Sequence, residues 1–528
     1  MNITKKNNYL IFHEYLKKNK TALYRKHKKN FFLNYTRTLK NLTILLNRYH
    51  NLNYSTKDWE IIIGPWLFKI SNIFFFYNSF HLNKKIKLSN KKNIKDNDLS
   101  YTIPFDFDDF YNSISNYEFF IKHFFTVNSP KLNLKYKKIL EIKKKSFFKN
   151  FLNLIIKKIC SEKSIIFNNL KINKIDMIKI ILRNSLKFLP FYSKNNFESF
   201  TKTKKAIERK FFFLNFENFN NMEKNFVSFL MQTMPSTYLE NFSIIRNYAV
   251  LNFPRSSFFL TDSSYINDDF FKINCSLSKK RNLLILQHGG NTRLYQKNLH
   301  DLVENRISKK ILVWGKRKGS KKEIFFPSTR LIRFKNMTAK TSIKKYKYCL
   351  IFEPIRKFKI QFFKTNLPIE NLIEIIKFLK KIKEKNFLLK LHYDREKSNY
   401  ISENEILKIC KIKKSHITTN FGKVLSSEII IFNYLSTMIF ELLQINKPFV
   451  VIIKNEDHFF SKLGLSFVKD LKKNKFLFRN IEEFYSYFKD IDINTWWYSQ
   501  KKQNFLNKLK KEYSFTDDHS FNYTKYKI

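Results

Sequence analysis

Glycine is nearly missing from this chain: seven residues in 528. Alanine is rarer still, with four, and proline supplies ten. Where glycine persists, a side chain is expected to be intolerable, because the backbone takes φ > 0 or lies close to a ligand. Four of the seven fall in one 31-residue window: Gly289, Gly290, Gly315 and Gly319. Cysteine is scarce too. Cys160, Cys275, Cys349 and Cys410 stand far apart with no C-x-x-C pair, which argues against disulfides and a structural zinc site and for a reducing, cytoplasmic setting. No apolar run reaches the 18 residues a membrane helix needs. The best attempt, Ile61 to Phe80, is broken by Lys69 and carries Gly64-Pro65. The amino-terminal stretch has no apolar core of signal-peptide length. Absent motifs narrow the chemistry further. There is no Walker A loop, G-x-G-x-x-G, G-x-S-x-G or H-E-x-x-H, which argues against an ATPase, a dehydrogenase, an α/β-hydrolase and a zincin.

Acidic residues are also few: 43 against 100 basic ones, a formal net charge of +57. Such a balance usually signals nucleic acid. Here lysine outnumbers arginine 84 to 16, and asparagine, isoleucine, phenylalanine and tyrosine are abundant. That joint skew is what an AT-rich genome imposes on codons, and a dedicated phosphate or base reader would favour the forked guanidinium of arginine. Arginine does cluster around the glycine window, as Arg281, Arg293, Arg306, Arg317, Arg330 and Arg333. The cluster points to an anionic small ligand there, with chance scatter as the alternative. No specific nucleic-acid partner is expected, but so basic a surface will adhere to anionic lipid headgroups at the inner face of a membrane.

Residues 1–275 read as a helix-rich first domain, with 84–100 a polar loop and Asp106, Asp108 and Asp109 a helix start rather than a metal site. From about residue 276 the rhythm becomes strand, loop, helix. Strands are expected at Leu283–Gln287, Lys310–Val313, Tyr348–Phe352, Phe387–Leu391, Glu428–Phe432 and Phe449–Ile453. Helical patterns lie between them at 298–307, 369–382 and 438–445. This alternation predicts a Rossmann-like parallel sheet over 276–490. Residues 316–345 read as a linker or surface loop, and Trp496-Trp497 opens a last helix within a terminal segment, 491–528.

Three constellations can carry chemistry. His288 closes a strand and precedes Gly289-Gly290, at the edge where ligands of open α/β sheets bind, so it is a candidate general base with Gln287 beside it. The plain alternative is a strand cap. Ser436 and Thr437 open a helix bearing Glu441, after a strand ending near Phe432. Hydroxyls and free amides suit a phosphate, and Glu441 a ribose hydroxyl; an ordinary helix cap fits equally well. Lys390 and His392, in a third strand end, can neutralise a diphosphate or simply be solvated. Glu304 is a further carboxylate near the window.

Taken in order, strand-QHGG, E-x-x-I-S, a strand ending W-G, and Y-x-S-T-x-x-x-E-x-x-x-x-N-K-P resemble the surface-polysaccharide (O-antigen biosynthesis) transferases, and more distantly the polyol-phosphate transferases of teichoic-acid synthesis. Trp59 to Leu67 (WEIIIGPWL), Pro235 to Phe242 (PSTYLENF), Asn267 to Asn274 (NDDFFKIN) and the Trp496-Trp497 tail extend the likeness over most of the chain. The resemblance implies a GT-B-like α/β fold of two Rossmann-like domains facing a cleft, the last helix returning across the hinge. It implies no cofactor or metal, a nucleotide-activated sugar or polyol as donor, and a surface-glycan acceptor that can be lipid-linked. His288 and Glu304 would be catalytic. Gln287, Gly289, Gly290, Trp314, Gly315, Lys390, His392, Ser436, Thr437 and Glu441 would hold the donor. The chain departs from the family pattern at Lys309, Lys316 and Asn433, and lacks a glycine soon after QHGG. An inactive homologue and a non-catalytic nucleic-acid binder are the competing readings.

Overall fold

The computed structural model describes residues 20–82, 100–111, 133–136, 147–193, 229–278, 282–295, 303–335, 345–352, 368–391, 403–453 and 460–516, together with 209, 226 and 337 and without 171, 173, 231 and 232. Fourteen strands occur among these residues. β1 (Ser100–Ile103) and β2 (Asn133–Tyr136) form a small parallel pair. The first large sheet comprises β3 (Ile165–Asn168), β4 (Phe188–Pro190), β5 (Phe258–Thr261), β6 (Asn282–Leu286), β7 (Lys310–Val313) and β8 (Glu323–Phe325). Its order is β4-β3-β5-β6-β7-β8, parallel throughout. The second comprises β9 (Tyr346–Ile351), β10 (Phe387–Lys390), β11 (Ile417–Thr418), β12 (Ser427–Phe432), β13 (Phe449–Ile452) and β14 (Leu477–Phe478). Its order, β11-β10-β9-β12-β13-β14, is also parallel and is the 3-2-1-4-5-6 arrangement of dinucleotide-binding folds. The α/β class and the two Rossmann-like sheets agree with expectation.

One boundary differs. The strands of QHGG and W-G were expected to open the second unit at residue 276. They pair instead with β5 and β8, so the change of sheet falls between Phe325 and Tyr346. The helix-rich reading of the first half hid β3, β4 and β5, each only three or four residues long. The stretch 316–345 is likewise more than a linker, since it carries β8 and a helical turn at Ile332–Lys335.

Burial explains the apolar runs. In β6, Leu283 and Ile285 join one core cluster while Leu284 and Leu286 join another on the opposite face. Successive side chains point to opposite faces, so a strand covered on both sides must be apolar at every position. The first of these clusters is built with helices α1 (Lys20–His50), α2 (Thr56–Leu82), α3 (Phe242–Asn252) and α4 (Asp269–Leu277). In α2 every residue from Asp58 to Ser71 is buried, which accounts for its membrane-like composition. No helix among the described residues is long and apolar enough to cross a membrane. Asp106 begins a short helix as expected, accepting from the Asp109 amide at 2.9 Å. Around the second sheet lie α5 (Thr437–Ile445), α6 (Lys462–Lys473), α7 (Ile493–Tyr498) and α8 (Gln500–Tyr513). The last two replace the single final helix expected, breaking at Ser499, where ψ swings to 142°.

Candidate active site at the carboxyl edges of the two sheets

In a parallel sheet every strand delivers its carboxyl end to the same edge. After β6 the chain turns through Gln287, His288, Gly289 and Gly290. After β12 it runs through Asn433 to Ser436 into α5. These two edges meet. Thr437 Oγ1 donates to Asn291 Oδ1 at 3.1 Å, and the Leu435 amide donates to the Tyr295 hydroxyl at 2.8 Å. Ser461, which caps α6, donates its amide to the Leu294 carbonyl at 2.9 Å and its hydroxyl to the Arg293 carbonyl at 2.7 Å. The whole stretch 291–295 therefore docks on the loops of the second sheet.

This docking explains three of the glycines, and the C-terminal helix a fourth. A Cβ on Gly290 would sit 2.0 Å from the Phe440 ring, and one on Gly289 would sit 3.1 Å from Thr437 Oγ1. On Gly315 it would lie 1.9 Å from the Glu512 carbonyl oxygen of α8, and on Gly464 the same distance from that of Leu294. None of the glycines has positive φ. Close approach of protein to protein, rather than a special dihedral, is what excludes a side chain.

The QHGG turn is fastened from within. Gln287 Nε2 donates to the Gly289 carbonyl at 3.1 Å, while its Oε1 accepts from the Trp314 amide at 3.0 Å. Thr292 Oγ1 donates to the same Gly289 carbonyl at 2.7 Å. Arg330 Nη1 donates to the His288 carbonyl at 3.1 Å, and its Nη2 to Glu441 Oε1 at 3.0 Å. His288 is half-buried at this turn.

The candidate residues thus divide. Gln287, His288, Gly289, Gly290, Ser436, Thr437 and Glu441 come together where the edges meet. Ser436 is the N-cap of α5, accepting from the Met438 amide at 3.2 Å. Glu441 is buried and engaged by Arg330, so the structure gives it an ion-pair partner where a ribose hydroxyl was expected. Trp314 and Gly315 serve packing. Trp314 is fully buried, and its carbonyl accepts from the Phe515 amide at 2.7 Å as the C-terminal segment docks. Neither leaves a surface for a donor. Glu304 is buried and takes the Tyr265 hydroxyl, which places it against the helical layer of the first sheet. Lys390 closes β10, in register with Ile351 of β9. His392 lies outside the described residues.

The arginine cluster receives a different account from the expected anion site. Arg281 is outside the described residues. Arg293 pairs with Glu323, Arg306 with Glu60, Arg317 with Glu512 at 3.0 Å, and Arg330 with Glu441. Arg333 lies over the Phe334 ring at 4.5 Å. In a chain poor in carboxylates, these carboxylates are tied to arginine, whose weakly hydrated fork loses least on burial. Sequence reading missed Asn291, Tyr295 and Phe440, and named Arg330 only as one of the arginine cluster, without its His288 and Glu441 partners.

Two parallel doubly wound sheets whose carboxyl edges meet in shared loops place the chain in the class of two-sheet α/β proteins. The chain matches the LIC12162 family of transferases over residues 2–527, and it belongs to that family. No curated protein matches it by sequence. Among solved structures it is similar to a glycosyltransferase from Rickettsia africae ESF-5, with 12% identity, a TM-score of 0.33, and coverage of 67% of this chain and 95% of that one. It is also similar to the wall teichoic acid polymerase TagF, with 11% identity, a TM-score of 0.30, and coverage of 71% and 92%. Likeness of this degree assigns no residue a role. Among the described residues no group of His, Cys, Asp or Glu forms a metal site.

Proposed function

We propose that this transferase moves a glycosyl or polyol-phosphate group from a nucleotide-activated donor to a cell-surface polysaccharide precursor, in a GT-B-like cleft between the sheets. The observation that carries the reading is the seating of the His288-Gly289-Gly290 turn of the first sheet on the amino-terminal turn of α5. That helix begins beside the β9/β12 crossing, where the strand order of the second sheet reverses. Ligands of such sheets bind at this point, and the first amides of a helix favour a phosphate.

In this reading the donor diphosphate meets the start of α5 at Ser436 and Thr437. His288 takes the proton of the acceptor hydroxyl as that oxygen bonds to the donor, and the bond to the departing phosphate breaks. The α5 amides, with Lys390 on the same sheet edge, balance the charge that develops on the leaving group. Glu441 and Arg330 hold the turn in place. Glu304 has no part in the chemistry.

The test is thermal stability against a panel of nucleoside diphosphates and CMP at physiological salt, with duplex DNA as control. A ligand at 100 times its Kd adds about 2.7 kcal/mol. One nucleotide should stand out and lose its effect in a Ser436→Ala/Thr437→Ala variant, while His288→Ala keeps nucleotide affinity within a few-fold and abolishes transfer. A DNA response with no nucleotide response would overturn the reading.

A further inference from the structure

The first sheet, in the order β4-β3-β5-β6-β7-β8, has a reversal point of its own between β3 and β5. The chain leaves β3 for the helix Lys174–Arg183, whose Ile180 joins the core on the Leu284 and Leu286 face. It leaves β5 for α4, whose Phe271 and Ile273 join the core on the opposite face, with Leu283 and Ile285. The loops at the carboxyl ends of these two neighbouring strands therefore part to opposite sides of the sheet. In open α/β sheets ligands bind at such a point. The donor reading uses the corresponding point of the second sheet and leaves this one unassigned.

Asn168, Thr261 and Ile285 stand in register across β3, β5 and β6, and Ile285 is three residues before His288. The point thus lies on the edge of the His288 turn, one strand away, and neighbouring strands are about 4.8 Å apart. Asn168 donates through Nδ2 to Ser193 Oγ at 2.8 Å and to Asp268 Oδ2 at 3.4 Å. Asn169 donates through Nδ2 to Ser263 Oγ at 2.7 Å, and Ser263 donates in turn to Asp262 Oδ1 at 2.5 Å. Both side-chain amides are fixed by their nitrogens. Neither Oδ1 atom has a hydrogen-bond partner among the described residues, although Asn168 is only 9% exposed. An amide oxygen in so buried a side chain is an acceptor that a ligand's donor completes. Asn169 is exposed and Ser263 half-buried, so this row of side chains opens to solvent.

We infer that this edge binds an uncharged, hydroxyl-rich ring, the terminal sugar of the acceptor, through Asn168, Asn169, Asp262 and Ser263. The six side chains brought together here are amides, hydroxyls and carboxylates, with no basic group among them. Sugar hydroxyls donate to such a set of acceptors. A phosphate or a carboxylate offers acceptors only and is repelled by Asp262 and Asp268. The position beside β6 brings the bound sugar next to the proposed base. Calling this sugar the acceptor rests on the transferase reading; the binding of a neutral sugar does not.

The experiment is a saturation-transfer NMR titration of the full chain, without nucleotide, with glucose, galactose and N-acetylglucosamine. Glucose 6-phosphate and glucuronate serve as charged counterparts. It compares wild type with Asn169→Gly/Ser263→Ala, whose folding is checked by its thermal midpoint. Glycine keeps the left-handed backbone of residue 169, where φ is 53°. Asn169→Gly alone is the milder variant if the double one does not fold. At least one neutral sugar should bind more tightly than the charged counterparts, and its Kd should rise at least about fivefold in the double variant, which removes two neutral hydrogen bonds. No binding of a neutral sugar by wild type would overturn the inference, as would tighter binding of a charged counterpart or unchanged binding by the variant. The nucleotide panel is read separately. A nucleotide response without sugar binding removes this site alone, while sugar binding without a nucleotide response keeps the site and removes the transferase reading.

Discussion

The Arg330 guanidinium donates to the Glu441 carboxylate at 3.0 Å and, through its other amino group, to the His288 carbonyl at 3.1 Å. One side chain thereby joins the turn of the first sheet to the helix of the second. Removing it leaves a buried carboxylate without this partner and a turn without this restraint. Arg330→Ala should lower stability by about 1–3 kcal/mol, the range for hydrogen bonds to charged groups when one partner is deleted. Transfer should fall more than donor affinity. Denaturant melts of Arg330→Ala, Glu441→Gln and the double variant check this, and a coupling energy below about 0.5 kcal/mol would mean the pair is not a functional link.

The contact of Gly290 with Phe440 makes a reversible prediction. Gly290→Ala forces a carbon into the Phe440 ring, which has to move or push the turn away. Overpacking of this kind costs about 1–3 kcal/mol. Trimming the ring in Gly290→Ala/Phe440→Leu should recover most of the loss in a thermal melt. No such relief exists at Gly315, where the clash is with the main chain of α8. Gly315→Ala should therefore detach the C-terminal segment and open it to limited proteolysis.

Three motifs of the first half, around Phe107, Thr237-Tyr238 and Asp269, converge on one buried carboxylate. Asp269 accepts from the Tyr238 hydroxyl at 2.7 Å, the Thr237 hydroxyl at 2.8 Å and the Phe107 amide at 3.1 Å, and pairs with Lys272 at 2.5 Å. Burial alone would push this carboxyl up; the Lys272 ammonium and the donated hydrogen bonds outweigh it and hold it below its ordinary value. Asp269→Asn strands the Lys272 charge in the core and should cost about 3–5 kcal/mol. Adding Lys272→Met to that variant should recover part of the loss by urea denaturation, because the stranded charge is gone.

His50 supplies a pH dependence. It lies against Trp59 and Phe242, and its Nε2 donates to the Tyr238 carbonyl at 3.2 Å. Burial lowers its pKa from 6.5 to about 4, against the opposing pull of that carbonyl and of Glu240. The unfolded chain therefore takes the proton first. The stability this neutral ring contributes is complete above pH 6.5 and is lost as pH falls toward 4, up to about 3 kcal/mol in all. Denaturant midpoints measured between pH 7 and 4.5 should decline in wild type and decline less in His50→Phe.

How much of this could be read from the residues varies with how local the cause is. The runs LLIL, ILV and FVVI are buried strands because only strands covered on both faces demand apolar residues at every position. The start of α5 was legible from Ser436-Thr437 for the same local reason. The division between the sheets was not, because strand order is set by which edges pair, and no local pattern records which strand lies beside which. The arginine cluster misled, since a guanidinium near a glycine turn looks the same in sequence whether an anion or a distant glutamate answers it.

The sequence alone determined the α/β class and the position of the QHGG and S-T motifs at strand ends. These follow from side-chain periodicity, which acts within a few residues. Tertiary structure alone decided what the motifs meet. It put Phe440 over Gly290, Arg330 between His288 and Glu441, and α8 over Gly315. Asn446, left-handed at φ 59° after α5, accepts the indole of Trp497 at 3.0 Å, joining the N-K-P and W-W motifs across 51 residues of chain. Such pairings depend on how two sheets and a returning C-terminal segment settle against one another, and no local pattern encodes that.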